Sequence, residues 1–345
     1  MTYLRNCWYA AAYAHEVSQA PLARQLLGEH VVLYRTADGT AHALHDRCPH
    51  RFAPLSMGTL VEDQLQCPYH GLRFGTDGAC AYNPHYDALP KAAQVRAFPI
   101  HERYGMLWIW MGDAPADPAR LPADFAFFED RRFRAVSGYL HVRGNYQLVI
   151  DNLLDLTHAP YLHPAFAIPG ISTEERLKRT TTELVREPER VIARRWRLAC
   201  PPNGPTRSLF GFTDDVMDSR SHMHWLPPSL IYFDAGAARC GESEEDGLCL
   251  PAMHAITPET DRTCHYFFAQ ARNMLLDSAE ADEILLNILR NAFHNEDEPM
   301  IEAQQAMMGA ETDVMALDPV LLKSDGAPVA ARRALAALIE RERAA

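Results

Sequence analysis

Two short units that each combine a cysteine with a histidine lie close together near the start of the chain. The first runs from Cys48 to His50 and the second from Cys67 to His70, with sixteen residues between them. Cysteine thiolates and imidazole nitrogens bind zinc and iron in proteins. Of the eight cysteines, only these two have a histidine at this spacing, so metal ligands suit this long chain better than disulfides.

Each unit supplies one residue of each type, and this division separates two kinds of metal site. A structural zinc site often takes a cysteine pair from one unit and a histidine pair from another. In a Rieske [2Fe–2S] centre, two cysteines hold one iron and two histidines hold the other, so each loop spans both irons. A proline directly follows each cysteine and stiffens its loop. The pattern favours a cluster held by Cys48, His50, Cys67 and His70, with structural zinc as the alternative.

A second set of candidate ligands lies in the segment DNLLDLTHAPYLH, from Asp151 to His163. Asp155 and His158 are three residues apart and are expected to share one face of a helix. His163 lies five residues beyond His158, and Pro160 between them is expected to break the helix and turn His163 toward the same site. Two histidines and one carboxylate form the facial triad of non-haem Fe(II) oxygenases.

The carboxylate of such a triad must come from another segment. The stretch NILRNAFHNEDEPMIEAQQ offers four candidate ligands: His294, Glu296, Asp297 and Glu298. Helical phase selects Asp297, because it falls at a spacing of four on one apolar stripe with Leu289, Phe293 and Ile301. The glutamates on either side lie about 100° away. A buried carboxylate needs a metal or a hydrogen-bonding partner, so Asp297 is the predicted third ligand.

The chain divides into regions of different pattern. Residues 1–112 are rich in short apolar or alternating runs broken by turn signals, which predicts a small antiparallel β domain. Residues 113–125 are rich in proline and predict a linker. Residues 126–345 mix strand-like and helical patterns without regular alternation, which is typical of an α+β domain.

Composition narrows the class of protein. The 345 residues carry a net charge of −12, which argues against nucleic acid as the main partner. No apolar run approaches the roughly 18 to 20 residues of a membrane span, and no signal-peptide layout is clear, so a cytoplasmic location is expected. The GxGxxG fingerprint of dinucleotide binding does not occur, so electrons from NAD(P)H would have to arrive from another chain.

Over nearly its full length the chain resembles the Rieske non-haem iron oxygenases, in particular the branch of vanillate O-demethylase, dicamba O-demethylase and toluenesulfonate methyl-monooxygenase. The segments that carry the resemblance include NCWYAAA, CPHRFAPLSMG, CPYHGL, DNLLDLTHAPYLH and NEDEPMIEAQQ. The resemblance implies an α+β chain, with an N-terminal antiparallel β Rieske domain and a helix-grip catalytic domain around a central antiparallel sheet. It also implies a mononuclear Fe(II) on His158, His163 and Asp297, in agreement with helical phase.

The resemblance further implies partners. It points to a head-to-tail homotrimer in which the cluster of one subunit lies near the iron of its neighbour. An aspartate then links a cluster histidine to an iron-ligand histidine. By position the aspartate would be Asp155, and the cluster histidine would be His70 across the interface. The electron donor would be a separate NAD(P)H reductase, with a ferredoxin as a possible further carrier.

The expected function is that of the oxygenase component of a Rieske monooxygenase, which hydroxylates or O-demethylates a small aromatic acid with O2. The resemblance places pocket-lining polar residues near His224 and His254, and either imidazole could bind the acid group. The alternatives are a neutral polycyclic, steroid or alkaloid substrate, an electron-transfer Rieske protein without oxygenase activity, and a zinc-bearing binding protein. Only an oxygenase has a use for the second set of ligands.

We predict that Cys48→Ser abolishes the visible absorption of the protein and the low-g-average EPR signal of its reduced form. Loss of one thiolate ligand removes the cluster that gives rise to both signals. Absorption and EPR spectra of the purified variant are the measurement, with Cys240→Ser outside the motif as the control. Retention of both signals in Cys48→Ser would exclude the cluster assignment.

Overall fold

The computed structural model describes residues 3–168 and 170–345, which divide into two compact units. One unit comprises 3–121 together with Thr257–Thr260, and the other comprises the described residues of Pro122–Ile256 together with Asp261–Ala345. The first is built from short strands and the second combines a long sheet with helices. This is the α+β organisation that the sequence predicts. Within the described residues, no helix is long and apolar enough to cross a membrane.

The first unit is made of short antiparallel strands. They are β1 (Trp8–Tyr13), β2 (Leu22–Leu26), β3 (Glu29–Arg35), β4 (Ala41–His45), β5 (Thr59–Val61), β6 (Gln64–Gln66), β7 (Arg73–Phe74), β8 (Cys80–Tyr82), β9 (Ala97–Phe98), β10 (Ile100–Arg103) and β11 (Met106–Trp110). Within the part of the chain that the structure describes, they form sheets with the orders β1-β11-β10, β2-β3-β4-β9 and β5-β6-β7-β8.

An apolar core in this unit includes the two candidate cluster cysteines. Cys48 and Cys67 pack with buried side chains from β3, β4, β6 and β7, among them Val32, Tyr34, Leu44, Leu65 and Phe74. Side chains alternate between the two faces of a strand, so each of these strands can direct part of its apolar set inward. The core therefore fixes the base of both Cys–His loops.

The second unit is organised around one large antiparallel sheet. Its strands are β12 (Arg134–Val142), β13 (Thr180–Glu187), β14 (Arg190–Cys200), β15 (Met217–Leu226), β16 (Leu230–Arg239), β17 (Leu248–Cys249), β18 (Ala252–Thr260) and β19 (Thr263–Arg272). The strand order is β12-β19-β18-β16-β15-β14-β13, and β17 pairs with β16.

Helices flank the candidate iron ligands in the second unit. They are α1 (Tyr146–Leu154), α2 (Ala159–Leu162), α3 (Thr173–Lys178), α4 (Gly204–Ser208), α5 (Ala279–Arg290), α6 (Glu298–Met308) and α7 (Gly326–Ala344). A π-helical segment, Asn291–Asp297, joins α5 to α6. The long helical pattern predicted before Asp297 is therefore present, but its hydrogen-bond geometry changes at the candidate ligand.

Ion pairs tie the start of α5 to the sheet. The Asp282 carboxylate accepts two hydrogen bonds from Nε of Arg134 on β12, at 2.8 and 3.0 Å. It also lies 2.6 Å from Nη1 of Arg272 on β19, a residue that is fully buried. Charge-assisted pairs of this kind are stronger than neutral hydrogen bonds. They fix the helix that leads into the π-helical segment.

The helix predicted to run through His158 ends earlier than expected. Helix α1 stops at Leu154, and Asp155 has an extended conformation with φ −112° and ψ 91°. The Asp155 side chain accepts a hydrogen bond from the Thr157 N–H and starts a new 3₁₀ turn, because a short acidic side chain competes well for backbone donors. Pro160 lies in the first turn of α2, where no intrahelical N–H bond is lost. The predicted break at Pro160 is therefore wrong, and the break lies at Asp155.

We predict that Gly78→Ala destabilises the protein more than Gly105→Ala does. Both glycines have positive φ, 79° and 70°, so alanine costs about 1–2 kcal/mol at either site. A methyl group at Gly78 would also collide with the Val95 carbonyl oxygen, whereas at Gly105 it meets open space. The expected additional loss is about 1–3 kcal/mol. Denaturant unfolding followed by circular dichroism measures the difference, and equal losses would contradict the packing argument.

Candidate metal centres

The two Cys–His units form turns with matching backbone hydrogen bonds. The Cys48 N–H donates to the carbonyl of Ala53, and the Phe52 N–H donates to the carbonyl of Cys48, both at 2.9 Å. The turn at Cys67 has both bonds at the same sequence separations, from the Cys67 N–H to the carbonyl of Leu72 and from the Gly71 N–H to the carbonyl of Cys67. The residue four positions after each cysteine has positive φ, 62° at Phe52 and 72° at Gly71. The two loops therefore present their cysteine and histidine side chains from equivalent backbones.

The four side chains of these turns divide into a buried pair and an accessible pair. The thiols of Cys48 and Cys67 are buried, whereas the rings of His50 and His70 reach solvent, with centroids 4.5 Å apart. Burial, together with the neighbouring Cys67, raises the pKa of the Cys48 thiol to about 11. Such thiols become ligands only through a cation, which deprotonates a coordinating thiol outright. The donor set fits a Rieske cluster, in which the two buried thiols would hold one iron and the two accessible imidazoles would hold the other.

The second candidate centre brings together His158, His163 and Asp297. One donor atom from each lies within 4.8 Å of the other two. The Nε2 atoms of the two histidines are 3.2 Å apart. Oδ1 of Asp297 lies 3.5 Å from Nε2 of His158 and 3.3 Å from Nε2 of His163. This donor set, with two imidazoles and one carboxylate, fits a mononuclear non-haem iron.

Hydrogen bonds to the far side of each ring orient the two imidazoles. His158 Nδ1 lies 2.6 Å from the carbonyl oxygen of Asp155, which can only accept, so Nδ1 carries the proton. His163 Nδ1 lies 2.7 Å from Glu296 Oε2 and donates to it in the same way. Each ring therefore keeps an unprotonated Nε2 toward Asp297, as metal-binding histidines do.

The protonation of the two rings differs with their surroundings. Burial lowers the pKa of His158. Burial also opposes a charge on His163, but hydrogen bonds and negative charge from Asp297 and Glu296 outweigh it and raise the pKa of His163. A proton on His163 would compete with a metal ion for Nε2, so metal binding at this site is expected to release protons.

The π-helical segment places two consecutive carboxylates at one site. Asp297 is buried, and its Oδ1 accepts a hydrogen bond of 3.0 Å from Asn152 on α1. Glu296 reaches His163, and its other oxygen accepts a hydrogen bond of 2.7 Å from Asn291. In a regular helix, neighbouring side chains diverge by about 100°. A π-helical turn, a feature common at functional sites, allows both acids to serve the same centre.

Sequence reasoning treated Glu296 only as a competitor of Asp297 and did not consider Asn152 or Asn291. The structure gives Glu296 a hydrogen bond to a candidate ligand instead of a place among the donors. Three consecutive acids, Glu296 to Glu298, after an asparagine-bearing helical stretch are the only trace of this arrangement in the sequence.

A cavity of about 200 Å³ opens beside the three donors. Apolar side chains from α1, β15, β16 and α5 line much of it, among them Leu153, Met223, Phe233, Leu285 and Ile288. An apolar cavity of about 150 Å³ is already large enough to hold benzene. The space therefore suits a single substituted ring.

Comparisons with known proteins agree with this geometry. Residues 7–99 match the Rieske [2Fe-2S] domain, and residues 142–341 match the vanillate O-demethylase oxygenase C-terminal domain. The oxygenase component of chloroacetanilide N-alkylformylase from Rhizorhabdus wittichii is 36% identical, over 99% of this chain and 97% of its own. The oxygenase component of dicamba O-demethylase from Stenotrophomonas maltophilia is 39% identical, over 100% of both.

A crystal structure of dicamba monooxygenase with non-haem iron and dicamba aligns with a TM-score of 0.86. Its sequence is 36% identical, and the alignment covers 100% of this chain and 99% of that one. The chain belongs to the Rieske non-haem iron oxygenases. The predicted resemblance to the vanillate and dicamba O-demethylase branch is confirmed, and this Rieske oxygenase is an oxidoreductase.

The structure brings one of the two predicted substrate histidines of this Rieske oxygenase to the cavity. His254 on β18 lines the cavity, and its Nδ1 lies 2.8 Å from the Tyr266 hydroxyl. Its buried Nε2 has no hydrogen-bond partner among the described residues. Burial lowers the pKa of His254 to about 3, so the ring is neutral.

His224 lies elsewhere. Its neighbour Met223 lines the cavity, and alternation along β15 turns His224 to the other face of the sheet. There its Nδ1 lies 3.5 Å from Nη1 of Arg190, and its ring is 5.3 Å from that of Tyr232. Burial, together with the charge of Arg190, lowers the pKa of His224 to about 4. The expectation that His224 contacts a ligand in the cavity is not met.

Asp155 has a local task in this Rieske oxygenase. Its carboxylate accepts hydrogen bonds from the N–H and the hydroxyl of Thr157, both at 2.9 Å. Its carbonyl oxygen accepts the bond from His158 described above. Asp155 therefore both starts the turn that carries His158 and orients the ring of that histidine.

We predict that Asp297→Ala and Glu296→Ala separate a ligand from the residue that orients one. Asp297→Ala should lose the mononuclear iron and all turnover while the cluster absorption remains. Glu296→Ala should weaken iron binding or activity by about 10- to 100-fold, the usual effect of removing an outer hydrogen-bond partner. Iron analysis and an Fe(II) titration of activity are the measurements.

Added Fe(II) should restore activity in Glu296→Ala and leave Asp297→Ala inactive. The reverse pattern would make Glu296 the ligand.

Proposed function

We propose that this chain is the oxygenase component of a multi-component Rieske monooxygenase that oxidises a small aromatic acid with O2. The observation that carries the proposal is that His158, His163 and Asp297 line the same apolar cavity as the unpaired nitrogen of His254. A metal donor set that opens onto a cavity of single-ring size suits oxidation of a bound substrate. A pure electron carrier or a zinc-bearing binding protein has no use for this arrangement.

We assign the cluster to Cys48, His50, Cys67 and His70, and the mononuclear iron to the second donor set. When bound, the cluster supplies single electrons and the iron activates O2 for insertion into a substrate C–H bond. Residues 1–112 would form the electron-accepting domain, residues 113–125 the linker and residues 126–345 the catalytic domain.

The residues of the catalytic domain have distinct tasks in this proposal. Asp155 and Glu296 keep the Nδ1 protons of His158 and His163 in place, so that both Nε2 atoms stay available as ligands. Asn152 holds the Asp297 carboxylate through its amide. The apolar lining of the cavity excludes water from the reacting region.

An aromatic acid is the proposed substrate for reasons of size and polarity. Relatives are named for dicamba, vanillate and toluene-4-sulfonate, each an aromatic acid. An acid group in an apolar cavity needs a hydrogen-bond donor, and Nε2 of His254 can provide one if it carries the proton. A cavity of about 200 Å³ is small for a steroid or polycyclic compound. The relative named for chloroacetanilide represents the neutral alternative.

The proposed partners are a separate NAD(P)H reductase, with or without a ferredoxin, and two further copies of this chain. In a head-to-tail homotrimer, Asp155 would reach His70 of the neighbouring subunit and link the two metal centres. Large apolar side chains near the cluster ligands are exposed, with Phe52 at 61%, Met57 at 73% and Tyr69 at 62%. Exposed apolar side chains of this size suit a surface that a partner covers. We place the system in the cytoplasm, where NAD(P)H is available.

We predict that the enzyme, with a suitable reductase and NADH, releases formaldehyde from vanillate-like methoxybenzoates and not from their methyl esters. His254→Ala should raise the KM for the acid by about 10- to 100-fold, because a hydrogen bond to a charged group contributes about 1.5–3 kcal/mol. His224→Ala is the matched control and should leave the KM unchanged, since His224 lies outside the cavity. Turnover of neutral multi-ring compounds alone would contradict the aromatic-acid proposal and leave the oxygenase proposal standing.

A further inference from the structure

Three arginines line the cavity beside the candidate iron ligands, and we call them the arginine trio: Arg176, Arg195 and Arg197. Arg195 and Arg197 are two residues apart on β14, so both point to the same face of the sheet. Arg176 comes from α3. Arg176 is only 9% exposed and Arg195 only 7%. Three positive charges are thus concentrated at one wall of a mostly enclosed, apolar space.

Within the described residues, no carboxylate lies within salt-bridge distance of the arginine trio. Nη1 of Arg176 donates to the carbonyl of Phe166 at 2.9 Å, and the buried Nε of Arg195 has no partner in this part of the chain. Asp155 lies farther off, and its charge favours protonated Arg195 only weakly. Buried guanidinium groups left in this state are costly unless something else pairs with them.

Arg220 on β15 provides an internal comparison, because it is a buried arginine of the same sheet and is paired. Its Nε donates to Asp234 at 2.8 Å and lies 3.7 Å from Glu244. The protein therefore neutralises this buried arginine with its own acids and leaves the trio without acidic partners among the described residues. Burial and the charge of neighbouring arginines lower the pKa of Arg176 and of Arg195 to about 10, so both stay charged at neutral pH.

We propose that the arginine trio binds the acidic groups of the substrate and that this substrate is an aromatic ring with two ionised acids, such as a benzenedicarboxylate or a sulfobenzoate. This rests on the proposed oxygenase function and narrows its substrate class. A carboxylate accepts about four hydrogen bonds, whereas each guanidinium offers five donors, so one acid group cannot satisfy three guanidinium groups. Two acid groups come closer to matching the positive charge and the number of hydrogen-bond donors of the arginine trio.

His254, another polar group of the cavity, cannot replace the positive charge of the arginine trio. His254 is neutral and can contribute a hydrogen bond to an acid group, but it brings no charge. Charge compensation therefore falls to the arginine trio. The net charge of −12 repels anions from the protein as a whole, so tight binding of a dianion would have to come from a local site.

The experiment measures binding to the resting holoenzyme under anaerobic conditions at low salt, without reductase. Isothermal titration calorimetry compares benzoate with phthalate, isophthalate, terephthalate and 4-sulfobenzoate. At least one diacid should bind about 10- to 100-fold more tightly than benzoate, from the additional charged hydrogen bonds. Dissociation constants within twofold of benzoate for all four diacids would overturn the proposal.

Variants test whether the arginine trio is responsible. Arg195→Met and Arg197→Met keep an unbranched apolar stem and remove the charge, so the ratio of diacid affinity to benzoate affinity should fall toward one. Arg194→Met is the matched control, because Arg194 directly precedes Arg195 on β14 and pairs with Glu183 at 3.3 Å. An unchanged diacid preference in both trio variants would overturn the proposal, as would an equal loss in Arg194→Met.

Thermal unfolding covers the possibility that a variant folds poorly. Without ligand, Arg195→Met should unfold at the same or a higher temperature than the parent, because it removes an unpaired buried charge. The diacid should raise the unfolding temperature of the parent and not that of Arg195→Met. The binding and unfolding measurements involve no turnover. If the diacids do not bind tightly, the oxygenase proposal still stands. If the enzyme shows no oxygenase activity, the measured preference for a diacid still stands.

Discussion

A buried carboxylate between two imidazoles sets the requirements for the catalytic unit. Asp297 lies 3.3 and 3.5 Å from the histidine nitrogens in a place that water scarcely reaches. A charge there is stable only if nearby groups compensate it, and the amide of Asn152 and a metal cation can do so. The surrounding architecture supports this contact. The ion pairs of Asp282 fix α5 to the sheet, and the π-helical segment then delivers Asp297 and Glu296 together.

The Rieske unit meets a different requirement with a repeated element. Its two turns share the same hydrogen bonds, so one backbone solution is used twice to hold two ligand types. The thiols lie within the apolar core and the imidazoles lie at its rim. A redox centre held in this way has one shielded side and one accessible side. Electrons would therefore cross the protein surface on the histidine side, where the exposed aromatic side chains also lie.

The sequence was sufficient for features that depend on residue type and local spacing. The Cys–His units, the two histidines after α1 and the acid on the apolar stripe could all be found, and Asp297 is buried even though its helix is a π-helix. Features that depend on register or on distant segments could not be predicted. A shift of one residue reverses the faces of a strand, so the direction of His224 needed the sheet itself.

Other misses have the same physical origin. Strand β1 is rich in alanine and becomes a strand only by pairing with β11. The helix break at Asp155 depends on a single side-chain hydrogen bond, which competes with continuation of the helix. The arginine trio joins α3 to β14, and its lack of acidic partners becomes visible only when every neighbour in space is known. The distribution of charge also matters for kinetics, because a protein of net charge −12 repels an anion that comes within a screening length of about 8 Å of its surface. Only inside the cavity does it meet attraction, so encounter with an anionic substrate should quicken as ionic strength rises, the reverse of electrostatic steering.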